Sequence, residues 1–93
     1  MNFNYYSFYL RGVERIYYTS VTHDSAEEIL DWAVRFNFIH EEDVPLCSNA
    51  RLLPEEEVKQ RNAVLYGLWW DKHKDSGSLS GRIPPTIGEV LLN

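Results

Sequence analysis

The chain has 93 residues, 44% hydrophobic and 14% aromatic, and a net charge of −5; this composition excludes a disordered chain, and the length is too short for two independent cores. A single cysteine, Cys47, excludes an internal disulfide, and no Cys/His spacing suggests structural zinc. No apolar run approaches the roughly 20 residues that span a bilayer, and Met1–Tyr6 lacks the pattern of a signal peptide, so a soluble cytoplasmic domain with no membrane contact is expected.

Residues 3–10 and 13–22 are dense in Tyr, Phe, Val, Ile and Thr, which suit a pleated, half-buried surface. Arg11-Gly12 lies between them, and glycine supplies the positive φ of a tight hairpin turn. The register decides which rings share a face. A three-residue loop, Arg11–Val13, places Tyr6, Phe8 and Leu10 with Ile16 and Tyr18, and leaves Phe3, Tyr5, Tyr9 and Tyr17 beside Arg15 on the other face. A two- or four-residue loop moves Tyr17 and Arg15 to the side of Phe8 and Leu10. The first is preferred because it keeps Arg15 off the more apolar face. Both registers put aromatics on both faces.

A helix is expected over 25–38. Ser25 with Glu28 forms a capping box, and Asp24 with Glu27 offers another start. Ala26, Ile29, Trp32, Ala33 and Phe36 make one apolar stripe, which should lie across the hairpin. Residues 40–53 read as a connection broken by Pro45, Ser48 and Asn49. A second helix is expected over 54–72, with Pro54 at its first position and Glu55, Glu56 and Glu57 at the positive end of its dipole. Residues 74–82, Lys-Asp-Ser-Gly-Ser-Leu-Ser-Gly-Arg, have the composition of a flexible linker. Ile83 to Leu92 is apolar enough to dock, as a helical turn or as a strand on the hairpin's edge. The expected fold is therefore α+β in the order β-β-α-α: an N-terminal antiparallel hairpin on two helices, with a docked apolar tail, in one domain.

An aromatic hairpin followed by a capped helix carrying Asp31-Trp32-Ala33 resembles many small bacterial proteins over about residues 5–36. The resemblance points to no named family and assigns no residue a role.

Chemistry-bearing groups are sparse. Cys47 could pair with His40 or His23 as a nucleophile, but nothing around it suggests an oxyanion hole, and a small buried thiol is the simpler reading. Asp71, His73 and Asp75 alternate, and His40 to Asp43 cluster, yet neither matches a metal-binding spacing. Gly77 to Gly81 lacks the Gly-Lys-Ser/Thr of a phosphate loop. No catalytic residue, cofactor or metal is expected. A chain this short has little room for a deep cleft, so the expectation is a non-enzyme.

Charge is uneven. Residues 24–57 hold ten acids against Arg35 and Arg51, which disfavours nucleic acid and suits a basic protein partner. A two-layer body also cannot hide both hairpin faces and a helix band as wide as Val58, Tyr66, Trp69 and Trp70. Tyr5, Tyr9, Tyr17, Tyr66 and Trp70 are therefore the candidate contact residues of an interaction or regulatory module whose partner is another protein or a second copy. The alternatives are an acidic inhibitor mimicking nucleic acid, with Glu41–Asp43 and Glu55–Glu57 on one face, and a small enzyme or ligand binder using Cys47 and a histidine.

Overall fold

A computed structural model describes residues 3–61, 66–68, 70 and 80–83. It is a mixed α+β fold built on a four-stranded antiparallel sheet, with strand order β3-β1-β2-β4. Strands β1 (Asn4–Leu10) and β2 (Val13–Thr19) form the expected hairpin. Helix α1 (Ala26–Arg35) follows, then a 3-10 helix at Glu41–Leu46, strand β3 (Cys47–Leu53), helix α2 (Glu55–Arg61) and strand β4 (Ser80–Ile83). Tyr66, Gly67, Leu68 and Trp70 are helical as well.

The hairpin closes with a two-residue turn, since Leu10 pairs with Val13. Arg11 at φ 53° and Gly12 at φ 80° both adopt left-handed backbone, the signature of a type I′ turn, whose twist matches that of the flanking strands. This corrects the three-residue loop. Tyr6 lies opposite Tyr17, Phe8 opposite Arg15 and Tyr5 opposite Tyr18, so Tyr17 and Arg15 join the face of Phe8 and Leu10. Turn geometry outweighs the cost of placing Arg15 there, because a long side chain can lay its stem on apolar neighbours.

Helix α1 begins as its sequence dictates. The Ser25 hydroxyl accepts from the Glu28 amide at 3.2 Å, and the Glu28 carboxylate accepts from the Asp24 amide at 2.8 Å. It ends in a Schellman motif. Asn37 is left-handed at φ 62°, its amide donates to the Val34 carbonyl, and the Phe38 amide reaches the Ala33 carbonyl at 2.8 Å. The helix buries Ile29 and Ala33 against Tyr6, Phe8 and Tyr17, with Ile39 closing the cluster. The Tyr17 hydroxyl donates to the Ile29 carbonyl at 3.0 Å, so this ring is both packed and satisfied.

The β-β-α-α order needs correction: a strand separates the two helices and a fourth strand follows the second. Strand β3 runs along β1, and this carries α2 to the opposite side of the sheet. There Val58 and Tyr66 pack on Tyr5, Tyr18 and Leu53, with Phe3, Ile16, Trp70 and Ile83 around them. The result has three layers, helix–sheet–helix. In β4, Ser80, Gly81 and Arg82 are strand residues paired with Thr19, Tyr18 and Tyr17, where the end of a linker was expected. Residues 74–79, and the tail beyond Ile83, lie outside the described residues.

Candidate functional site

Among the described residues, three places gather polar chemistry, and each follows from how the sheet distributes its side chains. On the α2 face, Ser7, Tyr9 and Glu14 come together at the hairpin end. The fully buried Ser7 hydroxyl donates to the Glu14 carboxylate at 2.7 Å. The Arg61 guanidinium of α2 donates to both Glu14 oxygens at 2.6 and 2.7 Å, and Tyr9 and Glu14 beside it push its pKa up. Glu57 accepts from Arg51 at 3.0 Å. Acid, base and hydroxyl are mutually satisfied, so the cluster fastens α2 to the hairpin and leaves no reactive group exposed to attack a substrate.

The second place lies where β2 turns into α1. The imidazole of His23 sits 4.7 Å from the Tyr6 ring, 5.1 Å from Trp32 and 6.2 Å from Tyr17, centroid to centroid. The His23 amide donates to the Tyr6 hydroxyl at 2.7 Å. Both His23 Nε2 and Trp32 Nε1 are buried without a hydrogen-bond partner. Burial holds the His23 pKa below its ordinary value, partly offset by Glu28 and Asp24. Beside it is a hollow of about 150 Å³ lined by Val21, His23, Glu28, Asp31, Trp32 and Arg35.

The third place is an open groove of about 660 Å³ between α1 and the 3-10 helix, lined by Asp31, Val34, Arg35, Glu41, Val44 and Pro45. Val34 and Val44 also pack on the core below, so this wall is fixed by burial. Leu46 and Phe36, which follow in the same two elements, are each nearly half exposed. Two carboxylates, Asp31 and Glu41, and one base, Arg35, line it, so the groove combines apolar surface with a small excess of acid.

The candidate contact residues fall elsewhere. Tyr5, Tyr17 and Tyr66 are 4%, 1% and 6% exposed and belong to the two cores. The Tyr5 and Tyr66 hydroxyls are 3.1 Å apart, and Tyr66 donates onward to Glu55 at 2.8 Å. Trp70 stacks on Tyr66 and meets the edge of Phe3. Tyr9 is part-buried, opposite Glu14 in the hairpin. Of the tyrosine surface expected to meet a partner, Tyr5 and Tyr66 are thus interior within the third layer's contact, Tyr17 is interior beneath α1 because the register turns it to that face, and Tyr9 is part-buried.

Among the described residues, Cys47 is not brought together with His23 or His40 in a site. Cys47 faces Leu10 at one end of β1 and His23 meets Tyr6 four residues away, roughly 13 Å along the strand. His40 and Cys47 flank opposite ends of the 3-10 helix, about 14 Å apart along its axis at its rise. The thiol donates to the Asp43 carbonyl at 3.3 Å, and burial with the nearby Asp43 charge pushes its pKa up, away from thiolate. No metal-binding group of His, Cys, Asp and Glu occurs among the described residues.

The acids do not share one face either. Glu41–Asp43 lie on the α1 side, whereas Glu55 and Glu57 lie on the α2 side, tied to Lys59, Arg51 and Arg61. No helix among the described residues is long and apolar enough to cross a membrane. Comparison with protein-family models, curated proteins and solved structures finds no match to this chain.

Proposed function

We propose that the chain is a non-enzymatic interaction module of the cytoplasm that binds a basic, amphipathic protein segment in the groove between α1 and the 3-10 helix. The observation that carries this reading is the pairing, in one open groove, of the Asp31 and Glu41 carboxylates with the apolar side chains of Val34, Val44 and Pro45. Lysines or arginines of a partner would meet the carboxylates, and its apolar residues would cover the valines and proline. A lone free thiol suits a reducing compartment.

The other readings lose their support. Nucleic-acid mimicry needs the acids on one surface, and they are divided between two sides of the sheet. A tyrosine-mediated homodimer needs the rings exposed, and Tyr5, Tyr17 and Tyr66 are buried. A cysteine enzyme needs a thiolate near a base, and the raised pKa of Cys47 and its distance from His23 give that reading less support.

The test is an amide chemical-shift titration with a synthetic peptide alternating lysine and leucine. Shifts should concentrate at Asp31, Val34, Glu41 and Val44, weaken at high salt and vanish in the double variant Asp31→Lys/Glu41→Lys. Shifts spread over the whole surface, or undiminished in that variant, would overturn the reading.

A further inference from the structure

We infer that His23 is a pH-sensitive latch between the sheet and helix α1, closed while its imidazole is neutral and released when it is protonated.

The geometry rests on where the ring is kept. His23 occupies the connection between β2 and α1, and its imidazole is wedged between Tyr6 of β1, Tyr17 of β2 and Trp32 of α1. One ring thus touches both elements that this connection joins, β2 and α1, and also β1 beside them. Its Nε2 is sealed from solvent and has no partner. A neutral imidazole tolerates that position at modest cost, because only an uncharged nitrogen is left dry. An imidazolium carries a proton and part of a full charge on the same sealed atom.

Neighbouring groups decide whether anything rescues the charge. From β1 the facing group is the Tyr6 hydroxyl, which already accepts the His23 amide. From β2 it is Tyr17, whose hydroxyl is committed to the Ile29 carbonyl. From the connection itself comes Asp24, and from α1 come Glu28, Asp31, Trp32 and Arg35. The Glu28 carboxylate is engaged by the Asp24 amide in the helix cap. Asp31 and Arg35, of opposite charge, both line the hollow beside the ring. The ring faces of Tyr6 and Trp32 attract a cation, but less than water solvates one. Burial therefore outweighs the acids, and the neutral form is the one that fits.

The sign follows. A base whose pKa is lower in the folded chain stabilises the fold above its unfolded value, near 6.5, and that contribution is lost as pH falls toward the folded value. Protonation is relieved by swinging the imidazole toward the hollow beside it, which removes the ring packed on Trp32 and loosens the link between His23 and Tyr6.

The experiment follows the His23 ring protons, the Trp32 indole resonance and the thermal midpoint between pH 7.5 and 5.5. The wild-type chain should lose several degrees over this range. His23 should titrate below 6.5, with the Trp32 indole shifting on the same curve. His40→Gln, which alters the exposed histidine at the 3-10 helix, should leave this behaviour intact. His23→Phe should flatten the midpoint against pH. If that variant fails to fold, the wild-type ring titration and its Trp32 echo still decide. A His23 pKa at or above 6.5, a Trp32 resonance indifferent to it, or an equal loss in His23→Phe would overturn the latch.

Discussion

The two faces of one sheet are held in different ways. On the α1 side, contact is nearly all ring on ring or ring on aliphatic: Tyr6, Phe8 and Tyr17 meet Ile29, Ala33 and Ile39, and Trp32, Phe36 and Phe38 continue the aromatic series outward. On the α2 side, the apolar cluster of Tyr5, Tyr18, Leu53, Val58 and Tyr66 covers only part of the face. The rest is a satisfied polar network of Ser7, Tyr9, Glu14 and Arg61. Burial is non-directional and scales with area, whereas the network is directional and depends on each partner being present. The α1 side should therefore fail through lost volume and the α2 side through a single broken link.

The largest expected effect tests the first half of that contrast. Phe8→Ala removes a ring that is 1% exposed from the centre of the α1-side cluster. It should cost about 3–5 kcal/mol in urea unfolding, from lost burial plus the cavity left behind. Tyr17→Phe keeps the ring and removes only the bond to the Ile29 carbonyl, so it should cost about 1 kcal/mol. Equal losses in the two variants would mean that the hydroxyl, and not the volume, holds this side.

Next in size is the edge of the α2 side. A Cβ on Gly81 would meet the Tyr18 hydroxyl at 2.6 Å and its ring at 2.7 Å. Tyr18 is 5% exposed and lies across the β4 backbone, so the ring cannot yield without uncovering the cluster. Gly81→Val should cost about 1–3 kcal/mol through overpacking and strip hydrogen-exchange protection from β4 and the outer edge of β2. Unchanged protection would mean that Tyr18 does not clamp this strand.

The network gives a smaller loss with a sharper signature. Arg61→Met should cost about 1–2 kcal/mol, discounted because Arg61 is over one-third exposed. Adding Glu14→Gln should cost little more, because the acid no longer waits for its base. A double-mutant cycle reads this coupling, and strict additivity would mean that the two side chains act independently.

These contrasts rest on two faces that were only partly readable in the chain. The hairpin and α1 were legible because their signals are local: β-branched and aromatic runs around Arg11-Gly12, and the Ser25–Glu28 cap. Strands β3 and β4 were not. Cys-Ser-Asn-Ala-Arg-Leu-Leu and Ser-Gly-Arg-Ile contain one β-branched residue between them, and as edge strands they need not be hydrophobic on both sides. They are strands because a neighbour offers hydrogen bonds, a fact that no local pattern carries. Missing β3 misplaced α2, and from that came the expected exposure of Tyr5 and Tyr66, while the three-residue turn put Tyr17 on the wrong face. Of the groove, the acids were visible, but not the pairing of Asp31 with Glu41 or of Val34 with Val44, which depends on the turn at Asn37. His23 carried no signal beyond its residue type, since its role arises from rings supplied by three separate elements.

The smallest effect concerns the turn that assigns rings to faces at all. Arg11 holds φ 53° without the freedom of glycine, and the type I′ geometry asks the same of Gly12. Asparagine enters this region more readily than arginine, and Asn-Gly is the favoured pair for such a turn. Arg11 is exposed and contributes a backbone contact to the Leu46 carbonyl at 3.4 Å, which substitution of its side chain preserves. Arg11→Asn should therefore stabilise the fold by a few tenths of a kcal/mol, read as a small rise in the urea midpoint at unchanged slope. Because the turn fixes Tyr6 against Tyr17 and Tyr5 against Tyr18, the gain should raise protection on both faces together. A gain confined to one face would mean that the hairpin register is set by packing against that layer, with the turn following.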